Sequence, residues 1–453
     1  PAMRTPSPFE KTGFVLSLMV FAFLYGFAAR WHGWFPNDVL ERTSRTVSQL
    51  ESMPFASPNF LSPTVYERDG ARTLDPDAVQ PGMTLVTSLW KDTGSWTMGI
   101  RLLDRRGRVV HEWAPDAAEL FPDATHLRQH RYLHGSHLFP NGDVVVNVEY
   151  QGTVRLDACG EVQWRLPAAT HHSVERADDG SFWISGHSAA PRAETPDHPD
   201  GLPGLDQPVW QDQILHVTEE GEILQTINVL DLLYNNDLAR YIAKAHQPQG
   251  GTDGPTTPDL THMNDVEPLP TSMADTYPLF DAGDLLVSLR NVHLVLVVDP
   301  ASGDVKWHAS DPFVLQHDPD FLGEGWIGVF DNNRDFTRRG SMLGGSRIVA
   351  LQPHTDSMEV RFPTPQSEAF YTHAGGKWQQ LGNGNMLLTE ARSGRVAEVA
   401  PDGHTVWEWV KASHDGTSVP TVLEGTRYDL APSDVASWPC SSADSLRSAR
   451  SRR

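Results

Sequence analysis

Three histidines stand at the same distance ahead of three turn glycines. His134, His172 and His317 each precede a glycine by eight residues, in the segments "HGSHLFPNG", "HSVERADDG" and "HDPDFLGEG". An imidazole can act as a nucleophile, a general acid or a general base near neutral pH, and it is a common metal ligand. A histidine that recurs in register therefore predicts either a repeated structural contact or one site assembled from several copies of a unit.

Two further copies of the unit vary this pattern. The fourth copy, in "LTHMND", has Asn264 at the equivalent start and His262 two residues before it. The last copy has Gly376 there, with His373 three residues earlier. We expect these residues to lie at the same level of the fold as the three histidines in register.

The elements that position these residues repeat from about residue 83 to 413. Six hairpins such as "LLDRRGRVVHEW" and "EVAPDGHTVWEW" combine a strand, a polar turn and a second strand with an aromatic near its end. A second strand-turn-strand unit lies between them. One hairpin and one strand-turn-strand unit make a repeat of four strands. Six such repeats predict an all-β fold, a six-bladed β-propeller. The innermost strand of each blade lines the central channel, so the histidines should converge at one mouth of that channel.

An arginine belongs to the same predicted mouth. The segment "SLRNVH" places Arg290 on a strand near His262 and Asn264, and we expect His137, close to His134 in the sequence, to line the mouth as well. Arginine supplies paired planar donors, so such a cluster at a concave surface is suited to a small anion. The alternative is structural, because propeller repeats can use a histidine to join blades and a fold does not by itself give a function.

Two other segments contain potential metal ligands. In "HLRQHRYLHGSH", His126, His130 and His134 would share one face of a strand, but no nearby acidic residue completes a ligand set, and we predict no metal. The polar run "VFDNNRD" (residues 329–335) could bind Ca²⁺ or close its strand, and closing the strand is favoured.

Composition limits the classes of function. The chain has 453 residues and a formal net charge of -22, which argues against nucleic-acid binding because phosphates attract basic surfaces. Its two cysteines, Cys159 and Cys440, are too few for a cysteine-based zinc site. They could form one disulfide or remain unpaired thiols, and the sequence leaves both open.

The N-terminal segment predicts a membrane anchor. Residues 13–29 contain no charged side chain, and Arg4 and Lys11 precede them. We expect a single-pass signal anchor in the inner membrane, with the rest of the chain on the periplasmic side; a cleaved signal peptide is the alternative. The predicted boundaries are a tail at 1–12, the anchor at 13–30, a linker at 31–80, the propeller at 81–415 and a C-terminal extension at 416–453.

Three segments of the repeat region, "LTHMND", "LLVSLRN" and "QHDPDFL" with "GVFDNN", resemble the bacterial arylsulfotransferases that work without a nucleotide sulfate donor. The resemblance covers about residues 80 to 413 and is to a distant, smaller branch. It implies a six-bladed propeller, no cofactor, and transfer of a sulfuryl group from an aryl sulfate to a phenol through a sulfated histidine.

The resemblance also implies roles for individual residues. His317 matches the family's nucleophile, because it stands in a Gln-His pair ahead of a "VFDN" strand. His262, Asn264 and Arg290 match the groups that bind the sulfuryl oxygens. A further family histidine matches His172, with His171 and His134 as alternatives. Two readings from other classes remain: a non-catalytic propeller that binds an anionic ligand or a partner protein, and a hydrolase or lyase that uses the histidines, with or without a metal.

Overall fold

The structure is a computed structural model. It describes residues 8–32 and 61–440, except 93–94, 123–131, 206–207, 246–258, 336 and 338. The chain divides into two compact units, Pro1–Asn59 and Phe60–Arg453. The α-helices are Pro8–His32, Ala117–Leu120, Val229–Asn235, Ala239–Ala245, Thr271–Ala274 and Pro432–Ala436, and the 3₁₀ turns are Arg290–Val292 and Ala391–Ser393.

The first unit is described only by the helix Pro8–His32, which includes the apolar run predicted to be an anchor. Within the described ranges, no helix has both the length and the apolar character needed to cross a membrane. The membrane anchor at 13–30 is therefore not supported by the structure and stays a prediction.

The second unit is built from antiparallel strands. In chain order they are β1 Leu61–Pro63, β2 Gly70–Thr73, β3 Met83–Asp92, β4 Ser95–Leu103, β5 Val109–Trp113, β6 Leu133–Leu138, β7 Val144–Val148, β8 Gly152–Leu156, β9 Val162–Leu166, β10 Ala169–Arg176, β11 Phe182–His187, β12 Asp212–Val217, β13 Ile223–Asn228, β14 Met263–Pro268, β15 Leu285–Leu289, β16 Leu294–Val298, β17 Val305–Ala309, β18 His317–Gly323, β19 Trp326–Asp331, β20 Arg347–Gln352, β21 Ser357–Phe362, β22 Lys377–Gln380, β23 Met386–Glu390, β24 Arg395–Val399, β25 Thr405–Val410, β26 Ser418–Pro420 and β27 Val422–Tyr428.

Strands β1 and β26 pair with each other, and the other strands form six sheets around a channel, which confirms the predicted six-bladed β-propeller. Blades two to five are the consecutive sets β6–β9, β10–β13, β14–β17 and β18–β21. Blade one has the order β27-β3-β4-β5, and blade six has the order β22-β23-β24-β25-β2. The strands β27, β6, β10, β14, β18 and β22 contact one another in sequence around the ring, so they are the inner strands that line the channel.

The sheets extend beyond the propeller boundaries predicted at 81–415. Strand β27 comes from the segment predicted as a C-terminal extension, and it pairs with β3 to become the inner strand of blade one. Strand β2 comes from the predicted linker and pairs with β25 at the outer edge of blade six. Both ends of the chain thus close the ring by hydrogen bonds, which leaves fewer unpaired strand edges.

The apolar runs of the middle strands explain the packing of the blades. In β7 (VVVNV) and β16 (LVLVV) every residue is buried, because each sheet is covered on both faces by its neighbours. Aromatic side chains at the hairpin ends fill the spaces between blades: Trp113 and Trp409 are 1% and 6% exposed. The segment between β13 and β14 forms the helices Val229–Asn235 and Ala239–Ala245, and these helices pack into the cluster of blades three and four.

The two cysteines form a disulfide, Cys159–Cys440, which resolves the question that the sequence left open. It joins the turn between β8 and β9 of blade two to the segment that follows the helix Pro432–Ala436. The bond closes a loop with a sequence separation of 281 residues. It therefore fixes the C-terminal segment close to β27, the strand that closes the ring.

Candidate functional site

The inner strands bring the predicted ring together at one mouth of the channel. A cavity of about 20 Å³ lies there, with space for about one water-sized molecule. Residues from all six inner-strand regions line it: His134, Gly135, His172, Ser173, Glu175, Asn264, Asp265, His317, Asp318, Gly376, Lys377, Leu423 and Glu424. The histidines are neighbours because equivalent points on the inner strands face the same axis.

Backbone irregularities aim these side chains. The pairing register of β6, β10, β14, β18 and β27 shifts near the mouth in each case, as in a β-bulge. His172 and Asp318 have left-handed φ values of 56° and 45°, which are unusual for residues other than glycine. Gly135 (φ 82°) is required by close approach, since an added Cβ would lie 2.0 Å from the His172 carbonyl oxygen.

His317 is held in one tautomer by Asn332. The Asn332 amide nitrogen donates to the carbonyl oxygens of Thr372 and Gly375, at 2.8 and 2.7 Å, so its Oδ1 must face the imidazole. His317 Nδ1 lies 2.6 Å from this Oδ1 and 3.1 Å from the Leu315 oxygen, and both are acceptors. The hydrogen-bond network thus assigns the proton to Nδ1 and leaves the lone pair on Nε2.

The surroundings of His317 favour its neutral form. Its side chain is buried, and burial together with the nearby Arg290 cation lowers the pKa of His317 well below 6.5. The hydrogen bond to Asn332 raises the pKa of His317, but this effect is smaller than the lowering by burial and Arg290. A neutral imidazole with a fixed, unprotonated Nε2 is the form that can attack an electrophile.

Arg290 lies beside this group on the 3₁₀ turn that follows β15. Its backbone N–H donates to the His262 oxygen at 3.1 Å, and its Nη1 donates to Asn291 Oδ1 at 3.1 Å. Its Nε is buried, and no hydrogen-bond partner for it occurs among the described residues. Burial and then the Arg334 cation lower the pKa of Arg290, which stays a cation in this range. A buried N–H of this kind favours an acceptor brought by a ligand.

Arg334 and Arg392, which the sequence analysis missed, add positive charge. Arg392 lies on the 3₁₀ turn Ala391–Ser393 of blade six, which corresponds to the turn of Arg290 in blade four. The repetition of this turn is a sequence signal from which Arg392 could have been predicted. The side chain of His373 is exposed and is not among the residues that line the cavity; partial loss of hydration and then the charges of Arg392, Arg334 and Arg290 lower the pKa of His373 to about 4.

His262 is paired with a carboxylate that the sequence analysis also missed. Its Nδ1 lies 2.7 Å from Asp259 Oδ2, so the imidazole Nδ1–H donates to this carboxylate. The His262 ring lies 5.0 Å from the His172 ring, centroid to centroid. A carboxylate on one nitrogen orients the ring and leaves Nε2 available to give or take a proton, as in a general acid or base.

The opposite wall of the mouth contains three imidazoles. The rings of His134 and His172 lie 4.6 Å apart, and His172 Nδ1 lies 2.9 Å from His171 Nδ1. His171 Nε2 in turn lies 3.6 Å from Asp212 Oδ1. Burial and the neighbouring imidazoles lower the pKa of His172 well below 6.5. His172, His171 and Asp212 thus form a buried row that fixes the orientation of His172.

Two predicted residues are placed differently from expectation. Asn264 lines the cavity, but its amide nitrogen donates to the Gln316 oxygen at 2.8 Å and its buried Oδ1 has no partner in the described chain, so it offers an acceptor to the cavity. His137 faces away from the mouth and packs against the rings of Phe139 and Phe182, because side chains alternate along β6. Burial lowers the pKa of His137 to about 4.

Below the histidines, the channel contains a buried lysine surrounded by carboxylates. Lys377 Nζ lies 2.9 Å from Asp318 Oδ1 and 3.7 Å from Glu175 Oε1. Desolvation raises the pKa of Glu175 to about 7, and burial raises the pKa of Asp265 well above its usual range. In blade six, Gly376 stands at the position of the histidines, and Lys377 corresponds to Asp318 of blade five, so charged groups line the cavity beside the imidazoles.

Potential metal ligands also occur at the mouth. Among the described residues, His134, Glu149 and His172 form one group whose ligating atoms all lie within 4.8 Å of one another. The cluster considered from sequence joined His134 to His126 and His130, which lie outside the described residues. Glu149, which follows β7, was not found from the sequence.

Fold and mouth together define a six-bladed β-propeller whose channel mouth is lined by histidines, with Arg290 close to His317. The family model of arylsulfotransferases (ASST) matches residues 135–412. This match covers more than half of the chain, so the protein belongs to the arylsulfotransferase family, as the sequence motifs indicated.

Solved structures with a similar fold are distant. A protein of unknown function from Bacteroides caccae is 14% identical, with 73% of this chain and 94% of that chain covered and a TM-score of 0.46. A streptogramin B lyase is 11% identical, with 76% and 88% covered and a TM-score of 0.39. Virginiamycin B lyase from Staphylococcus aureus is 9% identical, with 81% and 90% covered and a TM-score of 0.37. No curated protein matches the chain.

Proposed function

We propose that the protein transfers a sulfuryl group from an aryl sulfate to a phenol, without a nucleotide donor, through a sulfated His317. The observation that carries the proposal is the tautomer of His317, which Asn332 fixes with the Nε2 lone pair available beside Arg290. Membership of the arylsulfotransferase family supports the same reaction.

In the first step, His317 Nε2 attacks the sulfur atom, the bond between sulfur and the aryl oxygen breaks, and the phenol leaves. In the second step, an acceptor phenol oxygen attacks the same sulfur and the N–S bond breaks, which restores neutral His317. Sulfuryl transfer resembles phosphoryl transfer in having a loose transition state, so positioning and stabilisation of the oxygens dominate. Covalent catalysis divides one displacement into two easier ones.

The other groups of the mouth have distinct roles in this proposal. Arg290 binds the sulfuryl oxygens, since its buried guanidinium has an N–H without an acceptor among the described residues. His262, oriented by Asp259, gives a proton to the departing aryl oxygen and takes one from the acceptor. His172 lines the opposite wall and excludes water. Asn264 presents an acceptor oxygen, so it fits an incoming hydroxyl better than a sulfuryl oxygen.

We also propose that the propeller functions outside the cytoplasm. The disulfide Cys159–Cys440 supports this location, because such bonds persist in oxidising compartments. The apolar run at residues 13–29 would hold the chain at the inner membrane.

Binding without catalysis is a second candidate function. The charges of Arg290, Arg334 and Arg392 act on one another and on His373. That concentration of positive charge, in a chain with a net charge of -22, would suffice to bind an anionic ligand.

Intact-protein mass spectrometry after incubation with 4-nitrophenyl sulfate tests the proposal. We expect a gain of one sulfuryl group, its loss on addition of phenol, and no gain in His317→Ala. His404→Ala is a matched control, because His404 lies at an outer turn with its side chain 44% exposed. No adduct and no released nitrophenol from folded wild-type protein would reject this donor class and favour the binding function. An adduct that persists in His317→Ala would reject the assigned nucleophile.

A further inference from the structure

The three potential ligands at the mouth come from two adjacent blades. His134 lies on the inner strand β6, Glu149 directly follows β7 of the same blade, and His172 lies on β10 of the next blade. Close contact between these inner strands is possible because residue 135 is a glycine. The group is therefore positioned by the core of the propeller rather than by a surface loop.

The distances within this group are not those of hydrogen bonds. His134 Nδ1 lies 3.7 Å and His172 Nε2 lies 3.8 Å from the same oxygen, Glu149 Oε1. Both exceed the 2.7–3.2 Å usual for N–H···O bonds. Two nitrogens and an oxygen bound to one Zn²⁺ at about 2.0–2.2 Å would be roughly 3.3 Å apart. A shift of about half an ångström would bring Glu149 Oε1 to such a distance from each nitrogen, and the ligating atoms of the whole group lie within 4.8 Å of one another.

The environment of His172 provides the outer support that metal-bound histidines require. With Nε2 as the ligating atom, its Nδ1–H donates to His171 Nδ1 at 2.9 Å. His171 Nε2 lies 3.6 Å from Asp212 Oδ1, beyond hydrogen-bond distance, so this carboxylate supports the row through its charge. Asp212 is itself fixed, because its Oδ2 accepts from the Met263 N–H at 2.7 Å and from the Thr261 hydroxyl. A row of this kind selects the tautomer and raises the basicity of the ligand.

We infer that His134, Glu149 and His172 bind one divalent transition-metal ion, with Zn²⁺ as the best fit. Two imidazoles and one carboxylate are a ligand set for zinc and related ions, whereas Mg²⁺ and Ca²⁺ require mostly oxygen ligands. Three protein ligands leave at least one coordination position open, and His134 and His172 line the cavity that His317 also lines. An oxygen anion in the cavity could occupy that position.

The competing account is purely electrostatic. Glu149 also lies near the cation Arg392, and in this account its carboxylate only balances the charges of this cation and of the imidazoles. The two accounts differ in one respect, since only a metal site gives saturable binding of Zn²⁺ that depends on the two histidines and the carboxylate together.

Metal binding by the full chain distinguishes them. The protein is treated with EDTA, dialysed and titrated with ZnCl₂ by calorimetry, and bound zinc is counted by elemental mass spectrometry. We expect one Zn²⁺ per chain. Glu149→Gln and His134→Ala should weaken binding by more than the roughly 10–100-fold that loss of an outer-shell partner costs. His404→Ala, which removes a histidine of the outer surface, should bind as the wild type does.

Thermal unfolding without metal shows whether each variant is folded, and Zn²⁺ should raise the melting temperature of the wild type and of His404→Ala only. The inference would be overturned if folded wild-type protein bound no Zn²⁺. It would also be overturned if Glu149→Gln and His134→Ala bound Zn²⁺ as tightly as the wild type does. The sulfuryl adduct on metal-free protein is measured separately, so failure of the metal site and failure of the sulfuryl-transfer proposal give different results.

Discussion

Replacement of Asn332 by alanine tests whether the tautomer of His317 matters for reaction. The substitution removes the acceptor that lies 2.6 Å from His317 Nδ1 and the amide donor to two carbonyl oxygens. One of these oxygens, on Thr372, keeps a bond from the Ser346 hydroxyl at 3.2 Å. Within the described part of the chain, the Gly375 oxygen has no second hydrogen bond of this kind, and the Leu315 oxygen at 3.1 Å is the one acceptor that His317 Nδ1 keeps.

The expected loss of stability follows from these contacts. Each buried group left without a good partner costs about 1–3 kcal/mol, so the free energy of unfolding should fall by roughly 2–4 kcal/mol. That is less than the usual stability of about 5–15 kcal/mol, and the protein should remain folded at 25 °C. We expect a larger effect on the rate of the reaction, because the His317 ring can then rotate and can carry its proton on Nε2, which removes the nucleophilic lone pair.

Loss of the group that fixes a catalytic histidine's tautomer costs roughly 10⁴ in a serine-histidine-aspartate triad. Asn332 is neutral, so we expect a fall of about 10²–10⁴ in kcat/KM for 4-nitrophenyl sulfate. The assay is release of nitrophenol at a temperature well below unfolding, together with the rate of adduct formation by mass spectrometry.

Asn333→Ala is the matched control. Asn333 is also buried, and its amide donates to the carbonyl oxygens of Leu343 and Gly345 at 2.9 and 3.0 Å, without contact to His317. Its φ of 47° adds about 1–2 kcal/mol of strain for alanine. It should therefore lose at least as much stability and keep its activity. If Asn332→Ala stays within about threefold of Asn333→Ala in kcat/KM, the reasoning from the tautomer is refuted.

Four further outcomes are expected. Because burial and Arg290 lower the pKa of His317 well below 6.5, the rate of adduct formation in stopped-flow assays should not fall between pH 7.5 and 6.5; a loss centred near 6.5 would show an unperturbed nucleophile. Arg290→Lys should raise KM for the aryl sulfate about tenfold in steady-state assays, since lysine lacks planar paired donors; an unchanged KM would exclude contact with the sulfuryl oxygens. Reduction of Cys159–Cys440 should cost up to about 5 kcal/mol of stability in chemical denaturation, and equal midpoints with and without reductant would contradict this. Gly135→Ala should lower the melting temperature, because its Cβ would collide with a backbone carbonyl of the next blade, and an unaltered value would show that β6 can move away.

The ring at the mouth illustrates what sequence register can predict. The eight-residue spacing ahead of Gly142, Gly180 and Gly325 predicted that His134, His172 and His317 meet, and they line one cavity. The prediction succeeds because blades are equivalent by rotation about the channel, so equal positions in the repeat become neighbours in space. His137 shows where prediction from register fails. Because side chains alternate along β6, His137 points away from the channel and packs between blades two and three, against Phe139 and Phe182.

The closing strands were not predictable from the order of the repeat. The first copy of the unit lacks the inner-strand pattern because β27, from the other end of the chain, supplies that strand. Nothing in a linear pattern indicates which distant segment completes a ring. The same holds for the disulfide, because two cysteines with a sequence separation of 281 residues pair only if ring closure brings their segments together.

The sequence by itself determined the repeat, the all-β propeller and the residue types at its mouth, because alternation, turn glycines and register are local properties that recur along the chain. Only the tertiary structure decided which groups support them: Asn332 for His317, Asp259 for His262, and Glu149 between two imidazoles. A hydrogen bond or a set of metal ligands depends on distances of a few ångströms between segments that are far apart in the sequence. Those distances come from bulges, left-handed residues and the closure of the ring, which act together only in the folded molecule.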